Sequence, residues 1–234
     1  SHLGVHDQLL LPNPVQWPLA DFDPRIDPQC WLEAAGVSSD APVLLGVGTK
    51  AYQKGFDRLI DWFVSLADQH PTLQLVLVGL DPKPYQGRDQ QADLLARVTD
   101  RRDLMDRIHF PGRVGNMADW YAKATLFVLA SRYEGFPNVL LEAMAAGCCC
   151  VAADCPQGPN ELISSDQDGI LMPVEATSEQ WVEQLDSLIL DLEKRQRLGK
   201  AAQTVRLRFA PDVLRQHCLA SLEVMLPAGS QSDG

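Results

Sequence analysis

The pattern of apolar positions changes character about forty residues into the chain. Before that point it reads LLLPNPVQWPLADFDPRIDP, with five prolines from Pro12 to Pro28. Proline fixes φ and has no N–H to donate, so this stretch predicts extended or turn structure and no long helix. Val43-Leu44-Leu45-Gly46-Val47 is then a continuous apolar run, as expected of a strand buried on both faces. From Gly55 to Gln69 the apolar residues Phe56, Leu59, Ile60, Phe63, Val64 and Leu66 fall near helical spacing. Leu73 to Val78 predicts a second strand. The loop GLDPKPYQGR follows, then a helix over about 89–104 and a short strand at Ile108-His109-Phe110.

The alternation continues to the end. Asn116 to Lys123 predicts a short helix, Thr125 to Leu129 a buried strand, Asn138 to Ala146 a helix and Cys149 to Ala152 a strand. Glu161 to Ser164 reads as a helical turn and Gly169 to Met172 as the last strand. From Ser178 to Leu226 the pattern is helical, with breaks expected near Gly199 and Ala210-Pro211. Strands alternating with helices at short spacing predict an α/β fold, a doubly wound Rossmann-like parallel sheet with helices on both faces. The expected organisation is a Pro-rich lead-in or interdomain segment over 1–40 and a Rossmann-like domain over 41–210. A C-terminal helix over 211–226 and a disordered tail over 227–234 would follow. Ligands in such sheets bind beyond the C-terminal strand ends.

Composition narrows the partners. The formal charge is -11, from 31 acidic and 20 basic side chains, and no basic stripe offsets it. A polyanion would be repelled at long range, so nucleic acid is not an expected partner. No stretch reaches the roughly 18 apolar residues of a membrane-crossing helix. SHLGVHDQLL lacks the basic and apolar regions of a secretory signal, so a cytoplasmic protein is expected. Four of the six cysteines, Cys148, Cys149, Cys150 and Cys155, crowd into eight positions. Successive side chains on a strand point to opposite faces, so the CCC run cannot converge on one zinc ion. Buried thiols in a reducing compartment are expected, and no metal.

The chemistry concentrates after the TLFVL strand, in Ala130-Ser131-Arg132-Tyr133-Glu134-Gly135-Phe136-Pro137-Asn138-Val139 and the helix that Gly147 closes. Gly135 lets the backbone approach a ligand, and the unpaired N–H groups of a helix start make a seat for phosphate. Glu134 on the loop and Glu142 in the helix frame that seat. Carboxylates accept hydrogen bonds from hydroxyls, so the pair could hold two polyhydroxylated groups on either side of a phosphate. Two glutamates alone are more often solvated acids. Their surroundings change that weighting.

Glu134-x7-Glu142 within EGFPNVLLEAMAAG resembles the signature of family-4 retaining glycosyltransferases, group 1 glycosyl transferases of the two-Rossmann-domain (GT-B) fold. The resemblance runs along almost the whole chain. Leu11 to Val15 resembles the PNPV entry to the C-terminal domain of that fold. Val47-Gly48 with Lys54-Gly55-Phe56-Asp57 resembles its VGR…KGFD loop. Val76 to Gly79, Phe110 to Val114, and Cys155 to Glu161 resemble three further elements in the same order.

The resemblance implies roles. Glu134 would contact the donor sugar and Lys54 would neutralise the leaving diphosphate, both as catalytic groups. Glu142 would hold ribose hydroxyls, and the backbone N–H groups of Gly135, Phe136, Pro137, Asn138 and Val139 would reach sugar and diphosphate. Gly48 and Gly79 border the groove, and Arg113 and Val114 lie where the base is read. Thr49 stands where the family has an arginine, which leaves three options: compensation by Lys50, a donor held differently, or weakened transfer. No metal or cofactor is implied. The ligand would be a nucleoside diphosphate sugar, with CPQGPNE leaning toward a UDP-linked hexose or N-acetylhexosamine. The acceptor could be a lipid-linked sugar, a polysaccharide or a small molecule.

The PNPV element comes about ten residues in. The acceptor-binding N-terminal domain of such enzymes is therefore expected to be missing here, and with it any contact with the inner membrane face. This chain alone would bind donor without transferring sugar. Three other readings remain open: a nucleotide-sugar epimerase on the same fold, a degenerate nucleotide-sugar-binding module, and an unrelated doubly wound domain.

Overall fold

Strand residues of alternating parity feed two separate cores, one on each face of the sheet. The computed structural model describes residues 12–156 and 158–225; the expected tail over 227–234 lies outside the described residues. In chain order, α1 (Pro28–Ala34) precedes β1 (Val43–Val47), α2 (Phe56–Ala67) and β2 (Gln74–Val78). Helix α3 (Gln90–Leu95), a 3-10 turn at Ala96–Val98 and α4 (Arg102–Met105) lead to β3 (Ile108–Gly112). Then come α5 (Met117–Lys123), β4 (Leu126–Leu129), α6 (Asn138–Ala146), β5 (Cys150–Ala153), α7 (Pro159–Leu162) and β6 (Ile170–Met172). The described chain ends with α8 (Ser178–Leu190), α9 (Leu192–Ala202), α10 (Val205–Arg208) and α11 (Pro211–Met225).

The strands form one parallel sheet in the order β3-β2-β1-β4-β5-β6. This is the doubly wound α/β arrangement expected, and it reverses between β1 and β4, opening a crevice at their C-terminal ends. Leu44, Leu75, Leu77, Leu126, Val128 and Val151 face one core, with Phe63 of α2 and Leu185 of α8. Val43, Leu45, Val76, Val78, Phe127 and Leu129 face the other, with Trp120 of α5 and Leu140 of α6. Each fully buried Leu, Val or Phe is worth about 1.5–3 kcal/mol relative to exposure, so two such layers hold the sheet rigid beneath its loops. The cysteine run follows the same alternation: Cys149 enters the first core, and Cys148 and Cys150 the second.

Four local expectations are corrected. The helix over 89–104 is broken, because the Thr99 hydroxyl donates to Ala96 O and the Val98-Thr99 pair is a weak helix former. Gly199 is no break. It lies inside α9, where a Cβ would fall 2.2 Å from Gly147 O, so its lack of a side chain lets α9 rest on the end of α6. The expected break before Pro211 is present, and further breaks fall at Asp191, whose carboxylate accepts from Lys194 N, and at Gln203-Thr204. The helical turn expected at Glu161 to Ser164 begins earlier, at Pro159, a residue suited to a first helical position. Lastly, the Pro-rich lead-in contains α1, which starts at its final proline and is capped by Asp27 accepting from Cys30 N at 2.7 Å.

The lead-in is tied to the domain along its length. Val15 N donates to Phe209 O (2.9 Å), Phe22 N donates to Gly115 O (2.9 Å), and Gly115 N donates to Pro24 O (2.7 Å). Asn116 accepts from Ile26 N and donates to Ile26 O, and the Arg206 guanidinium lies 3.9 Å from the Trp17 ring centre.

Candidate functional site

Three loops meet at the switch point: β1–α2, β2–α3 and β4–α6. Gly48 N donates to Val78 O (2.9 Å), and Gly79, at φ +101°, sits where a Cβ would be 2.8 Å from Gly48 O. A Cβ on Gly48 would fall 2.5 Å from Lys54 Cγ, so the bare glycine makes room for the lysine stem. The Lys54 ammonium thereby reaches Glu134 Oε1 at 2.7 Å, and the Ser131 hydroxyl donates to the same oxygen. Both partners of the pair are mostly buried.

The β1–α2 and β4–α6 loops are joined by backbone as well as by charge. Gly55 opens α2 at φ +65°, where a Cβ would be 1.9 Å from Ala130 O. Arg58 donates to that same carbonyl, and Arg132 N donates to Gln53 O (2.9 Å). The Arg132 guanidinium grips Asp57 through two bonds of 2.8 and 2.7 Å, donates to Tyr52 O and covers the Tyr52 ring at 4.1 Å. Burial works to raise the Asp57 carboxyl, but Arg132 overcomes it and holds Asp57 below its ordinary 3.8.

Glu142 faces a cleft of about 350 Å³ bordered by Val15, Phe22, Val114, Gly115 and Asn138. The buried Tyr121 hydroxyl donates to Glu142 Oε2 at 3.1 Å. Burial raises the Glu142 carboxyl above its ordinary 4.5, with the Tyr121 bond opposing the shift. Burial, and then the Glu142 charge, push the Tyr121 phenol far up. Tyr121 therefore stays a donor, fixing one oxygen of Glu142 and leaving the other to an occupant of the cleft. Val114 forms part of the wall, and Arg113 is exposed beside it.

The helix start offers fewer donors than the expected five. Pro137 caps α6 and has no N–H, and Asn138 N donates to Phe136 O (3.0 Å). Among the described residues this leaves the N–H groups of Gly135, Phe136 and Val139 without a backbone partner. The Phe136 ring packs 6.1 Å from that of Phe209. Asn138 Oδ1 accepts from Asn13 Nδ2 (2.9 Å), bringing the lead-in to the same helix end.

Thr49 and Lys50 are exposed. Gln90 fixes their loop by accepting from Ala51 N (2.8 Å) and donating to Thr49 O (3.1 Å). Lys50 lines a separate cleft with Tyr52 and Tyr85. Sequence reasoning missed Ser131, Tyr121, Gln90 and the Asp57–Arg132 grip. Asp57 and Arg132 both stand inside quoted motifs, so two opposite charges flanking the site were the available signal.

The arrangement presents a cation, a carboxylate and free N–H groups at one strand end, with a second, half-buried carboxylate in the neighbouring cleft. The family described as "Glycosyl transferases group 1" matches residues 31–205. Over 171 residues the chain is 28% identical to the amylovoran biosynthesis glycosyltransferase AmsD of Erwinia amylovora, covering 73% of this chain and 45% of that protein. Among solved structures it resembles Anabaena HepE in complex with UDP and glucose, at TM-score 0.72 and 26% identity, covering 85% of this chain and 52% of HepE. It also shares the fold of the C-terminal domain of the group 1 protein LpcC from Francisella tularensis. There the TM-score is 0.64 and the identity 23%, over 81% of this chain and 94% of that domain. The chain spans less than half the length of the curated relatives it matches. Among the described residues, no helix is long and apolar enough to cross a membrane.

Proposed function

This chain belongs to the glycosyl transferases group 1 family, and from that premise we propose that it is the donor-binding part of a retaining glycosyltransferase acting in the cytoplasm. The donor is a nucleoside diphosphate hexose or N-acetylhexosamine, UDP-linked by preference, and the acceptor a hydroxyl group. The observation that carries this reading is the contact of Lys54 with Glu134 at 2.7 Å beside the free N–H groups of the α6 turn. A transferring sugar needs a carboxylate for its hydroxyls and a cation for the phosphate it leaves, within one sugar's reach of each other.

In this reading Glu134 accepts from sugar hydroxyls. Lys54, with the N–H groups of Gly135, Phe136 and Val139, takes the diphosphate charge. Glu142 holds the ribose with its free oxygen, and Val114 and Arg113 border the base. Transfer proceeds on the front face: the bond from sugar C1 to phosphate oxygen breaks, the bond to the acceptor oxygen forms, and the acceptor proton leaves with the phosphate. Residues that hold the acceptor lie in a further domain, consistent with relatives of which this chain covers only about half. No metal is needed to carry the leaving-group charge. HepE is solved with UDP and glucose, which supports the choice of nucleotide.

Titration calorimetry of the chain with UDP, GDP and ADP tests the reading. One nucleotide, UDP, should bind best, and Glu142→Ala should weaken the binding, because it removes the contact to the ribose. Absent binding of all three would remove the donor role, and equal binding would remove the preference for UDP. Nucleotide binding to a longer, acceptor-containing protein that never turns over would favour a binding module, for which Thr49 at the arginine position is the motive.

A further inference from the structure

On the outer side of the β1–α2 loop lies the second concavity, about 360 Å³ in volume. Sites for small ligands run from about 300 to 1,000 Å³, so it has room for a sugar ring. Two aromatic side chains line it while remaining open to solvent: Tyr52 is 69% exposed and Tyr85 40%. Both are held. Arg132 covers one face of the Tyr52 ring and is itself fixed by Asp57, which leaves the other face as a ready platform. Tyr85 and Arg88 exchange backbone hydrogen bonds of 2.9 and 3.1 Å around Gln86 and Gly87, both at positive φ. That tight two-residue turn sets the direction of Tyr85.

The charges in this cleft do not cancel. Arg88 pairs with Asp93, Arg97 with Asp61 and Arg132 with Asp57, whereas Lys50 forms no ion pair among the described residues. On a chain of net charge -11, this cleft therefore carries a local surplus of positive charge. A pyranose ring presents one apolar face of C–H groups and a rim of hydroxyls. A flat aromatic surface matches the face, and the amide of Gln90 and nearby charged groups match the rim.

We propose that this cleft is a saccharide subsite that seats a pyranose on the free face of Tyr52, with Lys50 pairing to a carboxylate on that sugar. Lys50 and Lys54 stand on the same β1–α2 loop, so the cleft gives an acidic acceptor glycan a foothold on the donor-binding domain. As a statement about the acceptor this rests on the transferase reading; as a statement about binding it does not.

The test follows the tyrosine ring NMR signals of the chain, assigned through Tyr52→Leu and Tyr85→Leu. The probes are methyl glucuronide and methyl glucoside, each titrated without and with saturating UDP. The glucuronide should move both signals and bind about threefold tighter than the glucoside, the worth of one partly exposed ion pair. Saturating UDP should leave those shifts in place, and Lys50→Met should erase the difference between the sugars. No shift with either sugar, or displacement by UDP, would overturn the subsite; equal binding of the two sugars would overturn the role of Lys50. UDP binding is read separately on the same samples, so failure of the donor site and failure of the subsite are distinguishable.

Discussion

Lys54 and Glu134, eighty residues apart in sequence, meet at 2.7 Å with side chains only 15% and 5% exposed. Removing one partner of a buried pair strands the other charge and costs about 3–5 kcal/mol, whereas replacing both with apolar residues of similar size is often close to neutral. Lys54→Met and Glu134→Leu should each lower stability to urea by that order. The double variant should recover much of the loss while binding no UDP-sugar. Additive losses would mean that the two charges are not coupled.

Glu142 sits in the fold at a cost to stability. Its carboxyl is raised by burial, so the folded state prefers it protonated, and stability falls as pH rises from its ordinary 4.5 through the raised value. Glu142→Gln should therefore raise the melting temperature at pH 7 and leave it unchanged at pH 4, while weakening UDP. The UDP affinity of the unmodified chain should drop on acidification through the same window, more steeply than that of Glu142→Gln. Calorimetry and thermal melts at both pH values check both effects.

The Asp57–Arg132 grip has the opposite sign. Arg132 holds Asp57 below 3.8, so its contribution is complete above that value and is lost as pH falls through the depressed one. Hydrogen bonds to charged groups are worth about 1.5–3 kcal/mol, and Asp57→Asn should cost about that much at pH 7. The deficit should shrink near pH 3. A urea series at the two pH values reads it.

Thr49 is exposed, so a longer side chain fits there without disturbing the core. In the proposed reading Thr49→Arg supplies a second cation for the diphosphate. UDP should then bind about tenfold tighter, or about 1.4 kcal/mol, with a much smaller change for UMP. Equal gains for both nucleotides would place the new charge away from the second phosphate.

The strands were legible because residues buried on both faces form unbroken apolar runs, as in Val43 to Val47 and Leu126 to Leu129. Glu134, Glu142 and Lys54 were legible as motif members. That Lys54 touches Glu134 was not, because the contact depends on a bare Gly48 beneath the lysine stem, a relation between a glycine and a side chain six residues on. Gly199 misled for the same reason. From sequence a helix breaker and a glycine kept for close packing look alike, and only the carbonyl of Gly147 tells them apart. The direction of Lys50 was hidden as well, since Gln90, about forty residues away, sets the loop it stands on. Pro137 could have been read correctly: it cannot donate, whatever the fold.

Phe22 and Gly115 share a backbone hydrogen bond, and both line the cleft that Glu142 faces. The lead-in is thus one jaw of a vice whose other jaw is α6. The same lead-in is anchored further out, by Trp17 beneath Arg206 and by Val15 at Phe209. The stretch most easily taken for a passive tether is part of the cleft wall, and trimming it should loosen the nucleotide without touching Glu142.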